Sequence, residues 1–135
     1  MMKKIVLGAC ILFLLIGVVC ATDINDFKMP NNFKVGNKYY ASNGDFGISF
    51  NQYNDSNYDH YFTNNSDYTV STANNITNYS GEIGVGCDEV VEINGERFVI
   101  ESYYTGNEVS KLNGCYDNLL EFNRLNNLNP IEIVE

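Results

Sequence analysis

His60 is the only histidine in the chain, so any thiol or hydroxyl nucleophile that needs an imidazole base must find it there. No recognisable nucleophile context surrounds Cys87 or Cys115, and these two cysteines are expected to pair with each other instead. Asp55, Asn57 and Asp59 set side-chain oxygens at alternate positions, as a calcium loop begins. The sixth position of that loop is His60 rather than glycine, and the twelfth is Ser66 rather than a bidentate glutamate. Without the turn and the bidentate ligand the expectation is a solvated acidic loop and no metal. Gly84-Val85-Gly86 lacks the third glycine of a dinucleotide loop, and no cofactor is expected. Seventeen acidic residues could supply a carboxylate pair for hydrolysis, but no spacing singles one out.

Tyrosine is the other chemistry-bearing residue. Tyr53, Tyr58, Tyr61, Phe62, Tyr68 and Tyr79 lie among asparagine, aspartate and serine. Rigid aromatic surface beside amides and carboxylates is what sugar- and protein-binding faces use, so Tyr53, Tyr58, Tyr61 and Tyr68 are the expected binding face. The same stretch holds four glycosylation sequons, at Asn54, Asn64, Asn75 and Asn78. An exported chain carries sugar at such sites only where they are exposed.

Export is written in the amino terminus. Lys3 and Lys4 precede an apolar run from Ile5 to Val19 and the small residues Cys20 and Ala21, the pattern of a cleaved secretory signal. Cleavage is expected after Ala21, giving residues 1–21 as signal peptide and residues 22–135 as one secreted or cell-surface domain. An uncleaved signal is the alternative and the only expected contact with a membrane. Removal of 21 of the 135 residues leaves 114, and it takes two lysines and no acid, moving the formal charge from −9 to −11. Such acidity disfavours nucleic acid, whose phosphates would be repelled. It suits a cationic partner, an ion or solubility alone. Cys10 and Cys20 leave with the signal, so Cys87 and Cys115 are expected to form a disulfide in an oxidising compartment, two free thiols being the alternative.

The elements that position these groups are mostly strands. Residues 35–40 and Phe46–Phe50 are predicted to form a hairpin through Asn43-Gly44, and Tyr68–Thr72 a further strand. Glu89–Ile93 and Glu96–Ile100 flank Asn94-Gly95, the strongest short-range hairpin signal, pairing Glu92 with Arg97. Phe27 and Phe33 are expected to pin the opening segment to the core. After Asn107 the period becomes helical: Val109, Leu112, Tyr116, Leu119, Leu120 and Asn123 share one face. Asn107 is the expected N-cap and Pro130 the stop, with a break possible at Asn113-Gly114 and an edge strand at 131–134. The fold class is α+β, an antiparallel sheet with a late C-terminal helix packed across it.

With the Asp26-Phe27-Lys28-Met29-Pro30 opening, the Ile93–Val99 hairpin and the Leu120–Asn126 helix, the chain resembles small exported proteins of unknown function from methanogenic archaea. In topology it is loosely similar to the Mog1/PsbP-like sandwich. Neither resemblance implies a ligand. The expected function is a non-enzymatic secreted or surface domain that binds a polysaccharide or other polymer, a cell-envelope protein or an ion through an Asn/Tyr-rich face. The alternative is a small extracellular hydrolase with unlocated carboxylates.

Overall fold

The computed structural model describes residues 24–53, 68–81 and 84–132. The expected signal segment lies outside them, as do Asn54, Asn64, Tyr58, Tyr61, His60 and the Asp55-Asn57-Asp59 loop. No helix among the described residues is long and apolar enough to cross a membrane.

Among the described residues seven antiparallel strands form one sheet: β1 (Lys34–Asn37), β2 (Tyr40–Ser42), β3 (Phe46–Gln52), β4 (Tyr68–Ala73), β5 (Ile76–Gly81), β6 (Val85–Ile93) and β7 (Glu96–Tyr104). Their spatial order is β1-β2-β3-β7-β6-β5-β4. Two meanders therefore meet where β3 pairs with β7. A single-turn 3-10 helix, Val109–Lys111, leads into α1 (Leu112–Asn126), which packs across β6 and β7. The fold is α+β, as the pattern of strands and a late helix implies.

The Asn94-Gly95 hairpin forms in the expected register, with Val91 opposite Phe98, Glu92 opposite Arg97 and Ile93 opposite Glu96. Both turn residues take positive φ, 54° and 85°, the conformation that Asn-Gly adopts most readily. Upstream, the single strand expected over 35–40 is two short strands. The Asn37 side chain folds back to accept the Tyr39 amide at 2.7 Å, an Asx turn that reverses the chain. β5 was not expected, because its residues Ile76–Gly81 are polar at most positions. Its partners on both sides supply the order that its composition does not.

α1 also differs from the expectation at both ends. Leu112 begins it, and neither Asn107 nor any other side chain caps it. It passes through Asn113-Gly114 unbroken, and the Phe46 ring occupies the space a Cβ at Gly114 would need. Its last turn closes on Asn127 in the left-handed conformation, three residues before Pro130. The buried stripe is Cys115, Leu119, Phe122 and Asn123, whereas Val109 and Leu120 are exposed. After the helix, the Ile131 amide donates to the Val90 carbonyl at 2.8 Å, an edge contact beside β6.

The core lies between α1 and the sheet. Alternation along β6 sends Val85, Cys87, Glu89, Val91 and Ile93 toward the helix, joined by Ile100, Phe98, Ile48, Phe50 and Ile76 from neighbouring strands. Phe27 bridges the layers, with ring centroids 5.0 Å from Phe50 and 5.3 Å from Phe122. Asn126 holds the opening segment against the helix: its Oδ1 accepts from the Lys28 amide at 2.8 Å, and its Nδ2 donates to the Lys28 carbonyl at 2.9 Å.

Candidate functional site

The same alternation puts a different set of residues on the face turned away from α1. Strand register aligns Tyr40, Ser49, Glu101, Asp88, Thr77 and Thr72 in one row across six strands. The next row reads Ser42, Gly47, Tyr103, Gly86, Tyr79 and Val70. A carboxylate row thus runs beside a row in which tyrosines alternate with glycines.

The glycines let the tyrosines lie down. A Cβ on Gly47 would stand 2.3 Å from the Tyr103 ring, and one on Gly86 would stand 2.5 Å from the Tyr79 hydroxyl. With both positions bare, each ring folds flat across its cross-strand glycine. Tyr79 then reaches diagonally to Glu101 and donates its hydroxyl to Oε2. Ser49 Oγ lies 3.5 Å from the other oxygen, Oε1. Burial, and then the Glu101 charge, push the Tyr79 hydroxyl far above its ordinary value, so it remains a donor across the accessible pH range.

Asp88 lies directly opposite Glu101 in the β6–β7 register and has no exposed surface. Burial first, and the Glu101 charge second, raise its carboxyl well above the usual range. Two ionised carboxylates have no proton to share, and Asp88 Oδ1 and Oδ2 would then be buried acceptors without donors. A proton kept on Asp88 removes the like-charge repulsion and leaves one negative charge on the pair.

Glu101 is half-buried and opens into a cleft of about 230 Å³ at the Val85–Tyr104 end of the β6–β7 ladder. Tyr79, Tyr103, Tyr104 and Gly84 form its walls. Lys111 stands over the Tyr104 ring, its Nζ 5.6 Å from the centroid, so this aromatic wall already carries one ammonium group. No protein-family model, curated protein or solved structure matches the chain. What the cleft can do rests on its own geometry.

That geometry gathers only part of the residues expected from sequence. Tyr53 is half-buried at the end of β3, and its amide donates to the Arg97 carbonyl at 3.0 Å. Tyr68 opens the edge strand β4, opposite Gly81. Tyr58 and Tyr61 lie outside the described residues. Tyr53 does not line the cleft, whereas Tyr79 does. Sequence reasoning missed Asp88, Glu101 and Tyr103. The available signal was the strand parity of the hairpin, which sets Asp88 opposite Glu101 once Asn94-Gly95 fixes the register. Among the sequons, Asn75 is exposed in the β4–β5 turn, whereas Asn78 is half-buried in β5.

Cys87 and Cys115 both reach the core as free, buried thiols, and the bridge expected between them is not formed here. Cys115 Sγ lies 3.8 Å from the Val85 carbonyl, within the range of a weak S–H donor. Burial pushes the Cys115 thiol up to about 12 and raises Cys87 as well. Without a thiolate, neither sulfur exchanges readily with disulfides at neutral pH. Among the described residues no three histidine, cysteine or acidic side chains group as a metal site.

Proposed function

We propose that this chain is an exported, non-enzymatic binding domain that docks a basic segment of a cell-envelope protein, taking an ammonium group into the Glu101 cleft. The observation that carries this reading is one carboxylate, bonded by Tyr79, set opposite the buried Asp88 and walled by tyrosine rings. A lysine ammonium there gains an ion pair and cation–π contact together, in surroundings drier than open surface. The net charge of −9 adds long-range attraction for a basic partner.

A hydrolase is the second reading, favoured by the two carboxyls that face each other. Acid–base chemistry on a bound substrate needs both groups within reach of the reacting atoms. Asp88 has no exposed surface, so only Glu101 can touch a ligand.

Titration calorimetry with a lysine-rich peptide and a glutamine-substituted control tests the binding reading. The lysine peptide should bind and lose affinity as salt rises. Glu101→Gln, which keeps an acceptor for Tyr79 and removes the charge, should weaken binding about tenfold or more. Equal affinity of the two peptides, or of the two proteins, would sink the proposal.

A further inference from the structure

On the helix side of the sheet, well apart in the fold from Glu101, lies a second and larger cleft of about 570 Å³. The β4–β5 turn, the face of α1 that carries Tyr116, Leu120 and Asn123, and residues 127–130 line it. Asn74, Tyr116, Leu120, Asn123, Asn127 and Asn129 contribute most of its chemistry. We propose that this cleft is a binding site for a neutral saccharide, with Tyr116 as the stacking surface and the asparagine amides as partners for ring hydroxyls.

Two observations carry the assignment. Four asparagines line one cleft, and an amide offers a donor and an acceptor side by side, which matches the paired donor and acceptor character of vicinal hydroxyls. The Asn74 Nδ2 lies 3.3 Å from the Tyr116 hydroxyl and steadies the ring at the cleft wall. Asn123 is held at this wall by Glu89, its Nδ2 donating to Oε1 at 2.6 Å.

Charge selects the ligand class. Arg124, the cation on the rim, is held bidentate by Glu121 at 2.9 and 2.5 Å. That pairing leaves no free charge to recognise an acid or an amine, and Leu120, 42 % exposed, adds apolar surface for a sugar's C–H face. The volume lies within the range of small-ligand sites, roughly 300–1,000 Å³.

The test is NMR titration of the ¹⁵N-labelled exported chain with methyl glucoside, methyl galactoside and N-acetylglucosamine, with glucuronate and a lysine peptide as charged controls. At sugar up to about 100 mM, enough to fill a millimolar site, the side-chain amides of Asn74, Asn123, Asn127 and Asn129 should shift and saturate with a neutral sugar. Tyr116→Ala should weaken that binding about tenfold or more, and Leu120→Ala, at an exposed position, provides the same readout if Tyr116→Ala fails to fold. Glu101→Gln should leave it unchanged, which separates this site from the ammonium cleft. Saturation with none of the neutral sugars, saturation by the charged controls alone, or sugar binding that survives both substitutions would each overturn the assignment.

Discussion

Phe122→Ala is expected to cost the domain about 3–5 kcal/mol, the range for emptying a fully buried aromatic site. Phe122 has no exposed surface and is the outer ring of a four-ring chain. It meets Phe27 at 5.3 Å, Phe27 meets Phe50 at 5.0 Å, and Phe50 stacks on Phe98 at 4.7 Å. That chain joins α1, the opening segment, β3 and β7, so the gap left by the missing ring loosens four pieces at once. Collapse around the gap is limited, because Leu119, Ile100 and Ile24 of the same core are themselves fully buried. In thermal melts the loss should appear as a fall of roughly 10–20 °C in Tm for a domain of this size. A loss below about 1 kcal/mol, the ordinary effect of a surface change, would mean that α1 does not pack on the sheet as described.

Glu89→Gln should act in the opposite direction and depend on pH. Glu89 is fully buried on the helix face, and its Oε1 accepts from Asn123 Nδ2 at 2.6 Å. Burial raises its carboxyl from 4.5 to about 8, against the Asn123 hydrogen bond, which works to lower it. The unfolded chain therefore releases this proton near pH 4.5, while the folded chain keeps it until about pH 8. Across that window the native state binds more protons than the unfolded state, so wild-type stability falls as pH rises and levels off above it. Asp88, raised for the same reason, steepens the decline. Glutamine keeps the acceptor for Asn123 and has no proton to lose. Glu89→Gln should match wild type near pH 4.5 and exceed it by roughly 3 kcal/mol at pH 7. Urea unfolding at the two pH values measures the difference. Wild-type stability that climbs from pH 5 to 8, or a variant no more stable than wild type at pH 7, would show that Glu89 is ionised in the folded protein.

Several elements could be read before any folding was considered, because their determinants are local. Asn94-Gly95 carries its own turn geometry, and once two φ values are positive the cross-strand pairs from Val91–Phe98 to Ile93–Glu96 follow. The late helix was legible from its period, and Leu119 and Asn123 of its expected face are buried. Leu120 and Val109, expected on the same face, are exposed instead, while Asn123 is buried against Glu89. β5 was illegible: Thr77, Asn78 and Ser80 have no pattern of their own, and hydrogen bonding to β4 and β6 decides their conformation.

The clefts divide along the same line. Strand parity and turn type, which act over a few residues, determined by themselves that Asp88 and Glu101 face one another and point away from Cys87 and Glu89. Only the tertiary structure decided that Tyr79 lies across Gly86 and reaches Glu101, that Tyr103 covers Gly47, and that Asn74 meets Tyr116 from 42 residues away. Those contacts depend on which strands become neighbours. That choice is a global one, made by burying the apolar face of β3, β6 and β7 beneath α1, and no local preference of Tyr79, Tyr103 or Asn74 encodes it.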